Sequence, residues 1–217
     1  MKNMKKIVVM VTLFAAIGGA ANAQTSSKEN NTSNDLHFGI KAGGNVSNVY
    51  DSEGKDFEAE AKVGAVLGGF LSIPFGKYVG IQPEVLFSQK GFKGTGSILG
   101  NPYEFKRTTN FLDVPILLAI KPSSSFTLLV GPQYSFLLSE KREFNSSAFS
   151  TLQENEFNND NIRKNILGLT GGFDVNLDKV VIGARAGWDL QNNKGDGTSS
   201  TPRYRNAWYQ ATIGYRF

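Results

Sequence analysis

From residue 36 to the C-terminus, apolar and polar residues alternate in eight separate segments. The segments are 36–43, 62–71, 79–88, 112–120, 126–138, 167–175, 180–189 and 207–217. In the last, Ala207, Tyr209, Ala211, Ile213, Tyr215 and Phe217 alternate with Trp208, Gln210, Thr212, Gly214 and Arg216. No stretch longer than a turn or two has the apolar spacing of an amphipathic helix. The pattern therefore predicts eight β-strands and an all-β fold.

The connections between these segments alternate between long and short. The long ones are 47–61, 91–109, 140–161 and 191–203, and the short ones are 74–77, 121–125 and 177–179. An even number of strands with short turns at one end and long loops at the other is typical of outer-membrane barrels. The sequence thus predicts an eight-stranded antiparallel up-and-down transmembrane β-barrel with both termini on the same side.

The two faces of the strands predict which side meets lipid. In a membrane barrel the apolar positions point outward and the polar positions point into the lumen. A soluble barrel of the lipocalin type would have the reverse arrangement, with a charged exterior. The polar set here is poor in Lys and Glu and rich in Gly, Ser, Thr and Gln, which favours a crowded lumen.

Eight strands enclose an interior that side chains can just fill. The polar residues expected near mid-height are Lys41, Glu84, Asp113, Gln133, Arg185 and Gln210. Unpaired buried charges are costly, so we expect Glu84 and Asp113 to face Lys41 and Arg185. We interpret this network as a structural plug, and the alternatives are a proton or ion path and a catalytic dyad.

Aromatic residues recur near the predicted strand ends, where they would form two girdles. The set near the short turns is Phe38, Phe75, Tyr78, Phe126, Phe173, Tyr215 and Phe217, and the upper set is Phe87, Tyr134, Trp188 and Tyr209. The terminal Tyr215 and Phe217 also resemble the signal by which barrel-assembly machinery recognises its clients.

The N-terminal region has the features of an exported protein. A basic start, an apolar stretch and an Ala-Asn-Ala site predict a signal peptide over 1–23, cleaved after Ala23. The polar residues 24–35 predict a flexible spacer. The barrel domain is then 36–217.

Composition removes several classes of function. The chain has no Cys and one His, which excludes disulfides and thiolate metal sites and disfavours a His-based metal centre. His37 lies near the end of the first strand, a poor position for a catalytic base acting on outer-leaflet lipid. The region around Asp196 lacks the acidic spacing of a Ca²⁺ loop. A net charge of +4 without a basic run does not indicate nucleic-acid binding. We expect no enzyme activity, metal or cofactor.

Three motifs resemble the outer-membrane β-barrel family common in Bacteroidota, often called PorT-like. They are FGIKAGGNVS at 38–47, VGIQPEVLFSQKG at 79–91, and FLDVPILL at 111–118 followed by LVGPQYS at 129–135. The resemblance implies an eight-stranded outer-membrane barrel. Asp113 occupies the position at which the family motif usually has Glu.

The leading hypothesis is a small, monomeric outer-membrane protein of a Gram-negative cell, with periplasmic termini and a structural or surface-interaction role. Its expected partners are outer-membrane lipid, lipopolysaccharide, the barrel-assembly machinery and envelope or secretion proteins. The alternatives are a narrow channel for ions or small solutes and an accessory component of a protein secretion system.

Overall fold

The computed structural model describes residues 36–50, 59–98, 101–146, 150–155, 163–192 and 204–217. The predicted signal peptide and spacer, the loop around Asp196 and most of the acidic first loop lie outside the described residues. The strands are β1 (His37–Tyr50), β2 (Ala59–Pro74), β3 (Val79–Ile98), β4 (Asn101–Ser123), β5 (Phe126–Ser146), β6 (Ser150–Asn155), β7 (Asn165–Leu177), β8 (Val180–Asp189) and β9 (Arg205–Arg216). No helix in this part of the chain is long and apolar enough to cross a membrane.

Eight of these strands close into an antiparallel barrel, as the sequence predicts. Each pairs with its neighbours in the order β1, β2, β3, β4, β5, β7, β8 and β9, and β9 pairs with β1 to close the ring. The closing register sets Val46 opposite Tyr209 and Ile40 opposite Tyr215. The amide of Phe217 continues this ladder by donating to the Phe38 carbonyl at 2.9 Å. Closure leaves the barrel without a free sheet edge.

The short connections, the start of β1 and the end of β9 share one end of the barrel, the turn end. Leu177 and Val180 are joined by a two-residue turn in which Asp178 has a φ of 55°. Aromatic rings surround this end: Phe38 stacks on Phe217 at 5.7 Å and Phe126 stacks on Phe173 at 5.5 Å. The opposite end, the loop end, carries the long strand extensions.

Two segments predicted as loops are strands. β3 continues to Ile98, β4 begins at Asn101, and β5 runs on to Ser146, where the short β6 pairs with it. Beyond the lipid neither face of a hairpin has to be apolar, so the alternation that marks the membrane segments disappears there. Cross-strand pairs hold the extension instead, including Lys106 opposite Glu143.

The burial pattern is the inverse of that of a soluble protein. Outward-facing Val63, Leu67 and Tyr209 are 73%, 61% and 71% exposed, whereas the lumen carboxylates Glu84 and Asp113 are each 1% exposed. A continuous apolar belt of this kind is stable against lipid and not against water. The soluble-barrel alternative is therefore wrong.

Candidate functional site

The lower part of the lumen, toward the turn end, is filled by a charge network centred on Glu84. Lys41 Nζ lies 2.8 Å from Glu84 Oε1, and an Arg185 terminal nitrogen lies 3.6 Å from the same oxygen. Lys41 stands opposite Gly68 on β2, and Glu84 on β3 stands opposite Phe70, two residues further along β2. The lysine also lies over the Phe70 ring at 4.9 Å. The structure thus brings together three of the four predicted network residues.

Asp174 is a further member of this network. Its Oδ1 lies 2.8 Å from Arg185, and the Gln82 amide donates to its Oδ2 at 3.2 Å and to Glu84 at 2.9 Å. A Cβ at Gly183 would stand 2.6 Å from Asp174 Oδ1, so this position needs glycine to leave room for the ion pair. Asp174 was recognisable as a lumen residue from its alternation, but its pairing with Arg185 depends on the β7–β8 register.

Asp113 does not face Lys41 or Arg185, and that part of the prediction is wrong. Its carboxylate pairs with Lys90 at 2.9 Å, and both side chains are buried. Lys90 also lies over the rings of Trp208 at 3.8 Å and Phe111 at 5.2 Å. The sequence analysis missed Lys90 because it lies between the predicted segment 79–88 and the predicted loop 91–109. A Lys two positions after Ser88 in the same alternation was the available signal.

A third charged level closes the lumen near the loop end. Glu140 Oε1 forms ion pairs with Arg107 Nε at 2.6 Å and with Arg142 Nε at 2.7 Å. The Arg107 guanidinium lies 5.3 Å from the Tyr204 ring, which packs edge-on against Phe92. Three levels of paired charge are therefore stacked in the lumen between the turn end and the loop end.

The other residues that the sequence analysis singled out, Gln133, Gln210 and His37, also lie on the barrel strands. Gln133 donates to Ser135 at 3.2 Å, and Gln210 stands between Asn45 and Arg185 in the sheet. His37 lines a cavity at the turn end and is far in sequence and height from the loop end. Among the described residues no group of three or more His, Asp or Glu side chains could hold a metal ion.

The outside of the strand extensions carries a group of basic residues that we call the outer lysine surface. It borders a cavity of about 510 Å³ and comprises Lys93, Lys106 and Lys141, with Glu143 as the acidic member; the buried Lys62 also lines the cavity. Among the described residues at the cavity, four lysines against one glutamate give a net charge of +3, which Glu60, opposite Lys93 on β2, lowers to +2.

The electrostatics of this surface are unbalanced. Lys93 stands opposite Lys106 on β4, a cross-strand arrangement that repels, and opposite the exposed Glu60 on β2. Glu143 lies 3.3 Å from both Lys106 and Lys141, so one carboxylate serves two ammonium groups. Hydrogen bonds, first from Lys141, lower the pKa of Glu143. The surface is therefore arranged to attract an anion.

Comparison with known proteins places the fold in a family. Residues 22–195 match the model of the outer membrane protein beta-barrel domain, which is most of the chain. The chain belongs to this family. Comparison with curated proteins gives no match.

Solved structures of outer-membrane barrels are similar to this member of the family at low identity. Ail, the attachment invasion locus protein of Yersinia pestis, in complex with the heparin analogue sucrose octasulfate, is 17% identical, with 84% of this chain and 99% of Ail covered and a TM-score of 0.51. Neisserial surface protein A is 10% identical, with 83% and 97% covered and a TM-score of 0.47. The likeness to Ail supports the fold, and family membership locates the protein in the outer membrane.

Proposed function

We propose that this protein is a non-conducting outer-membrane barrel that binds anionic surface saccharide, foremost the phosphate-bearing sugars of lipopolysaccharide, through its outer lysine surface. The observation that carries the proposal is the opposition of Lys93 and Lys106 on the exterior of the strand extensions, where the described lysines outnumber the described carboxylates, Glu143 at the cavity and Glu60 opposite Lys93. Repulsion between the two ammonium groups is relieved when an anion binds between them.

The height of the surface supports this class of ligand. Lys93 is six residues beyond Phe87 of the upper aromatic girdle, a distance of roughly 20 Å along a strand. Strand tilt reduces that distance to about 15 Å along the membrane normal. Sugar phosphates of the outer leaflet extend to that level, whereas acyl chains do not. The exposed Val63 at the lower rim of the cavity continues into the lipid-facing belt.

The lumen supports a non-conducting, non-catalytic role. Lys41, Glu84 and Arg185 pair directly, and the Lys90–Asp113 pair closes the next level. A hydrated ion would have to displace these pairs, and breaking each is costly in a water-poor interior. The channel alternative is therefore the weaker one, and the barrel is proposed to act through its outside.

Export and orientation complete the proposal. The protein is made with the signal peptide 1–23, is inserted by the barrel-assembly machinery through a signal that includes Tyr215 and Phe217, and acts as a monomer with periplasmic termini. The aromatic girdle around the turn end and the long extensions at the loop end support this orientation.

The resemblance of the 38–47, 79–91 and 111–118 motifs to PorT-like proteins favours a second candidate, an accessory role in protein secretion. Export of secreted cargo from cells lacking the protein tests it. Unchanged levels of exported cargo in these cells would rule out the secretion role.

The leading proposal is tested by immobilising the folded protein in non-ionic detergent and measuring lipopolysaccharide binding by interferometry. Lys93→Gln/Lys106→Gln is expected to weaken binding by about tenfold or more. Lys77→Gln/Lys179→Gln, an equal loss of two charges in the exposed turns at the other end, is expected to leave the affinity within about twofold. Lipopolysaccharide stripped of phosphate should bind the wild type as weakly as the double variant binds intact material. Equal affinity of the wild type and the double variant would overturn the proposal.

A further inference from the structure

The turn end of the barrel contains a second cavity, of about 580 Å³, which we call the vestibule. Its rim carries Lys77, Lys121 and Arg216, and its wall includes Ser72, Ser124 and Thr127. Its inner end is formed by Gln82 and Asp174, which belong to the charge network that closes the lumen. Volumes of this size accommodate a small ligand.

The charges of the vestibule do not balance. Asp174 is the one carboxylate that lines it among the described residues, and Arg185 already neutralises that group at 2.8 Å. Three cationic side chains therefore face the same space without a carboxylate of their own. The site is electropositive, and its low-dielectric walls concentrate that potential.

Each of the three cationic side chains of the vestibule can still bind an anion. Within the described part of the chain no carboxylate lies at ion-pair distance from the Lys121 ammonium, and burial, then Arg216, lower the pKa of this half-buried lysine. Arg216 donates one hydrogen bond, to the Asp178 carbonyl at 2.7 Å, which leaves further guanidinium donors. Lys77 lies over the Tyr78 ring at 5.4 Å and is otherwise exposed.

The hydroxyl groups of the wall add neutral donors within the same space. A guanidinium fork, an ammonium group and several hydroxyl groups together form a set of donors suited to phosphate oxygens. Apolar surface from Phe70 and Val181 leaves room for the non-ionic part of a ligand. From this combination we infer that the vestibule is a binding site for a small phosphate-bearing anion presented at the turn end.

This vestibule site is separate from the proposed surface role of the loop end. It depends on the proposed orientation in one respect only: with the turn end in the periplasm, the ligand comes from the periplasm. Phosphate could be supplied by a soluble compound or by a phospholipid headgroup of the inner leaflet, and either source satisfies the same chemistry.

The experiment uses the folded mature protein in non-ionic, phosphate-free detergent, with pyrophosphate as the probe in titration calorimetry. Wild type is expected to bind pyrophosphate, and Lys121→Gln is expected to weaken binding about tenfold. Lys179→Gln, at the same end but outside the vestibule, should change the affinity less than twofold. A heat-modifiable gel shift verifies that each variant is folded.

Three outcomes would overturn the inference: no pyrophosphate binding by wild type, unchanged affinity in Lys121→Gln, or binding that appears only after residues 24–35 are removed, which would make the chain's own segment the occupant. Repeating the titration in phosphatidylglycerol and phosphatidylcholine nanodiscs identifies the source, because competition by the bilayer indicates a headgroup and its absence a soluble anion. Lys93→Gln/Lys106→Gln should bind pyrophosphate normally, so failure of the loop-end proposal and failure of this one are distinguishable.

Discussion

Replacing Glu84 with glutamine should destabilise the barrel by removing the central anion of the lower charge network. Glu84 is 1% exposed and lies 2.8 Å from Lys41 and 3.6 Å from Arg185. At an effective dielectric constant of ~20, unit charges about 2.8 Å apart attract by roughly 6 kcal/mol. The neutral amide keeps the shape and loses this attraction, which leaves Lys41 buried without a counter-charge.

The loss is smaller than the Coulomb term because a buried carboxylate also carries a desolvation cost of several kcal/mol, which the variant no longer bears. We therefore expect Glu84→Gln to lower the free energy of unfolding by about 3–5 kcal/mol. Lys41→Met should cost less, because Glu84 keeps Arg185 and the Gln82 amide as partners. The double variant Lys41→Met/Glu84→Gln should cost less than the two single changes together, with a coupling of about 1–3 kcal/mol.

The assay is guanidinium unfolding and refolding in lipid vesicles, followed by tryptophan fluorescence and heat-modifiable gel mobility. Trp208 is buried in the lumen and Trp188 faces lipid, so the signal reports both sides of the wall. Glu143→Gln outside the membrane is the matched control, and its cost should stay below about 1 kcal/mol. An unfolding midpoint for Glu84→Gln equal to wild type, or strictly additive single and double variants, would refute the reasoning.

Three further predictions concern assembly, pH and packing. Deleting Phe217 should lower the yield of barrel inserted in the outer membrane more than the stability of the assembled barrel; equal yields with and without Phe217 in pulse-labelled membranes would contradict this. Because hydrogen bonds, first from Lys141, lower the pKa of Glu143, its contribution should be complete above the ordinary carboxyl pKa of about 4 and lost as pH falls through the lower folded value. The stability difference between wild type and Glu143→Gln should accordingly be about 0.5 kcal/mol at neutral pH and should vanish once the pH is below the lowered folded pKa of Glu143; a difference independent of pH would rule out this assignment. Gly183→Ala should lower the free energy of unfolding by about 1–3 kcal/mol in the same assay, because the added methyl group overlaps the Asp174 carboxylate that pairs with Arg185. Gly171→Ala, where the nearest atom would be 3.5 Å away, is its control, and equal costs at both positions would count against the overlap.

The local sequence pattern determines some features of this structure, namely the strands and the direction in which their side chains point, and leaves others undetermined. Alternation along a strand is a local property, since successive side chains point to opposite faces whatever the strand pairs with. The eight strands, the lipid-facing set and the inward position of Glu84, Asp113 and Arg185 could therefore be predicted from the sequence alone. The alternating loop lengths were enough to predict the closed up-and-down order.

The alternation of apolar and polar residues cannot identify a strand in which both faces carry polar residues. The extension of β3, β4 and β5 beyond the lipid has no apolar side, so its residues appeared as loops in the sequence. The outer lysine surface was missed for the same reason: Lys93 and Lys106 become neighbours only when the two strands pair in the observed register.

Pairing across the lumen was decided by tertiary structure. Which charges meet depends on strand tilt and stagger, which are set by closure of the whole ring rather than by any one strand. In the closed ring Lys41 pairs with Glu84, two strands away, and Asp113 pairs with Lys90 instead of Arg185. The sequence by itself determined which residues point into the lumen. Only the closed barrel decided which of them pair, because the partners lie on different strands and the alternation within one strand carries no information on the relative height of two strands.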